Sequence, residues 1–139
     1  MYLDLETSLK TALRGAMRGA EMFGTLDVVD LASTDAPPVS VRVVWRGLSP
    51  GSRKSNVLIG DHQFSVEATL VGLRAKDDQQ KAFAAGVLEI HKRLIAWRPL
   101  PQTPDLYASI DSGQLQDSGG VFQYQINLTV PDVVIRPDQ

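Results

Sequence analysis

The sequence predicts an α+β domain, a mostly antiparallel sheet with two helices packed on one face. Three observations predict it. Two segments repeat apolar residues at helical spacing; three others alternate apolar and polar residues at strand spacing; and the two kinds do not follow one another as βαβ repeats. At 139 residues and 43% apolar content the chain reads as one domain, 1–139, long enough for a real core. It shows no internal repeat and no linker.

Leu5, Leu9, Leu13, Met17 and Ala20 fall at steps of four, four, four and three, so a first helix is expected from Asp4 to Met22. Gly15 and Gly19 lie inside that pattern. Each costs about 1 kcal/mol against alanine, and they read either as tolerated or as points of close packing. Gly24 is the expected stop. Leu26 to Leu31 is a short apolar run read as a first strand, and Ser33 to Pro38 is a loop broken by Pro37-Pro38. Val39, Val41, Val43 and Trp45 then alternate with Ser40, Arg42, Val44 and Arg46, a strand with one buried face. Leu48 to Gly60, with Ser49-Pro50-Gly51-Ser52 inside it, reads as a long mobile loop or a hairpin excursion.

His62 to Leu73 is the longest strand candidate, with Phe64, Val66, Ala68 and Leu70 on one face. The apolar phase switches at Val71 and Leu73, as a bulge or a doubly covered strand would make it. A second helix, capped by Asp77 or Asp78, runs to about Trp97. Phe83, Val87, Ile90, Leu94 and Trp97 make its stripe, which Ala84, Leu88 and Ile95 widen. Arg98-Pro99-Leu100-Pro101 ends it. Leu106 to Leu115 is a strand and Gln116 to Gly120 a turn. Val121 to Val130 is a strand with Phe122, Tyr124, Ile126, Leu128 and Val130 inward and Gln123, Gln125, Asn127 and Thr129 outward. Pro131 stops it, leaving 131–139 as an extended C-terminal tail.

Composition narrows the function classes. Fourteen basic against sixteen acidic residues give a formal charge of −2, so the chain is not built to coat nucleic acid or an anionic membrane. The absence of cysteine excludes disulfide scaffolds, thiol catalysis and cysteine-ligated metals. No apolar run approaches the ~20 residues that span a bilayer, and the start MYLDLETSLK is no secretory signal. The chain reads as soluble and intracellular. His62 and His91 are the only histidines, and neither has a second ligand at helical spacing. No phosphate-loop, dinucleotide or nucleophile-elbow motif occurs; Gly47-Leu48-Ser49-Pro50-Gly51 approaches the last in composition only. Asp77-Asp78 suits a helix start and Asp111 and Asp117 suit a hairpin, which explains them without acid–base chemistry. No catalytic, cofactor-binding or metal-ligating residue is expected, and no enzyme activity.

Interaction is the remaining class. Arg42 and Arg46 share the polar face of one strand and Arg53-Lys54 follow in the next segment, a positive patch or simply a solvated face. The uncharged face carrying Gln123 and Gln125 suits a subunit interface. Val133-Val134-Ile135 either adds to a neighbour's sheet or packs back on its own domain.

The order of features carries a resemblance. A helix leads to Pro37-Pro38 and the valine-rich strand to Trp45. A glycine-containing loop and the long strand from Gln63 to Leu73 follow. The second helix ends in Leu94-Ile95-Ala96-Trp97-Arg98-Pro99, and a serine–glycine turn leads into F-x-Y-x-I-x-L at Phe122 to Leu128. From about Leu3 to Val130 the chain resembles the phage tail terminator-like proteins of the Mu-like tail family. The resemblance implies a non-enzymatic virion protein, made in the host cytoplasm. It would form a homo-oligomeric ring, typically a hexamer, that caps the tail tube and joins it to the head. Its partners would be itself, the tail-tube protein and a head-completion or neck protein, with no membrane and DNA only in passage through the lumen. Leu48 to Gly60 would meet the tube, and Arg42, Arg46, Arg53 and Lys54 would line the lumen. The alternatives are a head-completion or neck connector and a small ligand-binding domain.

Overall fold

A computed structural model describes residues 2–27, 37–54, 57–72, 75–100, 103 and 105–136, with backbone alone at 2, 3, 52–54, 132 and 135. The described elements are helix α1 (Tyr2–Leu13), strands β1 (Glu21–Phe23), β2 (Val39–Lys54) and β3 (Val57–Val71), helix α2 (Asp77–Ala96), and strands β4 (Ser109–Ser118) and β5 (Val121–Ile135). The strands form one sheet in the order β1-β2-β3-β5-β4. Every neighbouring pair is antiparallel except β1 with β2. The class is α+β, with both helices on one face.

That face holds the core. Val39, Val41 and Val43 from β2 stand beside Leu70, Ala68 and Val66 from β3, and these beside Phe122, Tyr124 and Ile126 from β5. Leu5, Leu9 and Leu13 of α1 and Phe83, Ile90 and Leu94 of α2 close over them in one cluster. Burying each such side chain favours folding by about 1.5–3 kcal/mol. Trp97 is also buried, and its indole N–H donates to Ser8 Oγ at 3.0 Å, tying the end of α2 to α1.

α1 ends nine residues earlier than its apolar spacing predicts. Gly15 has φ 79° and Gly19 φ 75°, left-handed conformations that only glycine adopts freely, so neither lies inside a helix. Ala16 and Met17 stay buried, but in the connecting turn. Arg93 of α2 donates to the carbonyls of Ala12 (3.4 Å) and Arg14 (2.7 Å), placing a cation at the C-terminus of α1. The first described strand is Glu21–Phe23, ahead of the strand expected from Leu26 to Leu31. Leu26 is exposed in a turn, and 28–31, like the loop expected over 33–36, lie outside the described residues.

Asp77 and Asp78 occupy the first turn of α2 instead of its cap. The Lys76 N–H donates to Gln79 Oε1 (2.8 Å), and the Gln79 N–H to Asp78 Oδ1 (3.0 Å). Leu88 and Ile95 are 59% and 66% exposed and do not widen the buried stripe. With Gln80, Ala84 and His91 they share a flank about a third of a turn away from Phe83, Gly86 and Ile90. That flank lies toward the last hairpin: His91 Nε2 meets the Tyr124 hydroxyl at 3.0 Å there, and Gln80 and Phe122 line one groove with Leu70, Gly72 and Gly120.

The stretch from Leu48 to Gly60 is the hairpin excursion, not a loop. β2 and β3 stay paired from Val39 opposite Leu70 out to Lys54 opposite Val57. Pro131 does not stop β5. The strand runs on to Ile135, with Val133 opposite Gly60 and Ile135 opposite Leu58. Between these pairs and His62 opposite Val130, Pro131 and Asp132 together face the single Asp61. Such a bulge is where a sheet tolerates a residue without an N–H. The last hairpin turns at Gly119-Gly120 alone, φ 59° and 85°, a two-residue turn of type I′, so Gln116 to Ser118 belong to β4.

Candidate interface on the uncovered sheet face

Strand alternation that sends Val41, Val66 and Ile126 into the core sends Arg42, Ser65, Glu67, Gln125 and Asn127 to the opposite face. No described helix covers that face. Its side chains are joined in a relay across four strands. Arg46 Nε donates to Ser65 Oγ (3.0 Å) and Ser65 Oγ to Asn127 Oδ1 (2.7 Å); Asn127 Nδ2 in turn donates to Ser112 Oγ (2.9 Å). Gln125 Nε2 also donates to Asn127 Oδ1 (3.0 Å), and Thr129 Oγ1 to Asp111 Oδ2 (2.6 Å). Ser65 is fully buried beneath this lattice. The result is a pre-ordered polar surface, with an uncharged centre between the Arg46–Glu67 pair and Asp111. Beside the last turn it dips into a groove of about 290 Å³ lined by Gln116, Ser118, Val121 and Gln123.

Arg42 and Arg46 share this face, as the spacing predicts, but both are engaged. Arg42 donates to the carbonyls of Gly24 (3.3 Å), Thr25 (3.0 Å) and Asp27 (3.2 Å). It thereby clamps a turn that Thr25 also ties to the buried Glu6 carboxylate and, through its hydroxyl, to the Trp45 N–H. Arg46 pairs with Glu67 at 2.8 Å, an ion pair half open to water on the arginine side and of modest strength. Arg53 and Lys54 do not join them. Arg42 stands opposite Glu67 and Arg53 opposite Leu58, nine residues along β3, or about 30 Å of strand.

Beyond Gly47 the sheet narrows to an arm of three strands: the ends of β2 and β5 on either side of the start of β3. Val133 is buried at its root, Val134 on the other side is 37% exposed, and Ile135 pairs with Leu58. The apolar tail therefore packs back on its own domain. At the same root a bulge at Arg46 and the bulge at Pro131 flank His62. The His62 ring is 2% exposed. Trp45 Nε1 donates to its Nδ1 at 3.0 Å, which leaves the proton on Nε2, a nitrogen without a hydrogen-bond partner among the described residues. Burial pushes this imidazole below its ordinary value of 6.5.

Gln123 and Gln125 lie on the uncovered face as expected. Alternation could not reveal the relay itself, since Ser65 and Asn127 are far apart in sequence; the hint was an asparagine among outward-facing residues of a strand, where that residue is depleted. Among the described residues no group of three His, Asp or Glu side chains is placed to hold a metal ion, and no helix is long and apolar enough to cross a membrane. The chain matches no family model, and no curated protein is significantly similar to it.

Proposed function

We propose that this protein is a non-enzymatic virion component of the phage tail terminator type, which forms a ring of identical copies on the tail tube and joins the tube to the head. The observation that carries the reading is the uncovered sheet face: broad, polar, cross-linked by its own hydrogen bonds and continued by a three-stranded arm. Subunit contacts that must form in water and exclude little of it suit such a surface, because its donors and acceptors are already held in place. The order of elements that resembles the tail terminators supports the same reading. Arg42 and Arg46 are held by internal acceptors and offer passing DNA little free charge. A lumen with few free cations would suit DNA that has to move through without being retained.

The test is genetic. Inactivating the gene in its parent phage should give overlong or length-scattered, headless tails in electron micrographs. Tails of normal length beside unattached heads would move the role to a neck connector. Normal infectious particles would overturn the reading.

A further inference from the structure

The geometry points to a second mode of self-association: β4 pairs with β4 of another copy about a two-fold axis at Leu115, joining the sheets of the two molecules into one. β4 is the last of the described strands of the sheet, and all its residues but Ile110 are exposed. Edge strands are normally guarded by lysine, proline or a bulge. The outer edge of β2 is guarded in this way, by Pro50, Arg53, Lys54 and the irregularities at Arg46 and Gly51. β4 has a bulge at Asp111, between Ile110 and Ser112, and one charge beyond it, Asp117. From Ser112 to Ser118 the edge carries neither lysine nor proline nor a bulge.

The hydrogen-bond phase of that segment follows from its turn. In a two-residue hairpin the residues that flank the turn exchange both backbone bonds, so Ser118, Gln116, Gln114 and Ser112 spend theirs on β5. Asp117, Leu115 and Gly113 then direct their N–H and C=O outward, where no described strand receives them. Two antiparallel copies can satisfy these groups in only a few registers. A register one pair shorter sets Asp111 opposite Asp117, like charges in contact, which disfavours it. Centring on Leu115 sets Ser112 opposite Ser118, Gly113 opposite Asp117 and Gln114 opposite Gln116. It uses the whole unguarded segment and makes about six backbone hydrogen bonds.

The side chains agree with this register. Leu115 lies on the helix side of the sheet opposite Tyr124 and is 56% exposed. On the axis it meets its own copy. The half-buried Phe122 and Tyr124 of each molecule stand behind the Leu115 pair on that side, with Asp117 at either end opposite Gly113 of the other copy. On the other side Gln114 and Gln116 extend the polar face without a break. A two-fold pair closes on itself and is separate from a ring contact, so this inference stands or falls without the proposed tail role.

The chain has no cysteine, which makes the register directly readable. Leu115→Cys should oxidise to a covalent dimer, since paired Cα atoms about 5.5 Å apart lie within disulfide range. Ser118→Cys, far from the axis, should not. Sedimentation of the unmodified protein should show a concentration-dependent species of twice 15.2 kDa. Leu115→Pro removes an outward N–H and spares the ladder to β5, so it should leave a folded monomer by circular dichroism. If that variant fails to fold, Leu115→Lys, which sets two cations on the axis, should do the same. A protein that stays monomeric at all concentrations, or crosslinks as fast through Ser118→Cys as through Leu115→Cys, would overturn the pairing.

Discussion

Asn127 receives hydrogen bonds from Ser65 and Gln125 and gives one to Ser112. Replacing it with alanine leaves the fully buried Ser65 hydroxyl without its acceptor, a loss of about 1–2 kcal/mol that urea denaturation should read as a lower midpoint at unchanged slope. His62 gives a pH signature. Its folded-state pKa lies below the unfolded value of 6.5 because burial disfavours the charged ring. Above 6.5 both states are neutral there. As pH falls below 6.5 the unfolded chain takes up the proton first, and stability declines until the folded-state pKa is passed. The thermal midpoint of the protein should fall over that window, and His62→Gln should lack this part of the fall. Neither role could be read from the sequence. Alternation tells which way Asn127 and His62 point, but their partners Ser65 and Trp45 come from other strands, and distance along the chain hides them.

At the scale of elements, the close fit of α2 onto the turn after α1 rests on Gly86. A Cβ there would stand 2.7 Å from Met17 Cγ. Gly86→Val should cost about 1–3 kcal/mol through overpacking, and Met17→Ala in the same chain should recover part of it. A double-mutant cycle by chemical denaturation measures that coupling. Periodicity located both helices and the three long strands, because Leu5, Leu9, Leu13 and the valines of β2 report their burial locally. It failed where one signal had two sources. Met17 and Ala20 continue the spacing of α1, yet the φ of Gly15 had already ended the helix. Leu88 and Ile95 look like core, but they stand on the flank of α2 beside its buried stripe and stay exposed. Pro131 looks like a terminator, and the extra residue beside it lets the strand continue.

The whole molecule is held by distant pairings. The centre of the sheet joins Ser65 to Asn127, sixty-two residues apart, so chain closure comes before most of the core is made. Refolding should therefore take milliseconds to seconds rather than microseconds, and the fluorescence of Trp45 and Trp97, packed in and against the core, reports it in stopped flow. The class and the helix side of the sheet were legible in the sequence. The strand order was not, because alternation is local and the neighbours of a strand are set by the whole fold. The arm adds a mechanical consequence. Its eight residues from Gly47 to Lys54 reach about 25 Å from the two bulges at its root, so a bend of about ten degrees there carries the tip by about 4 Å. The paired strands thus act as a lever, turning a small change of direction at the root into a displacement of several ångströms at the tip.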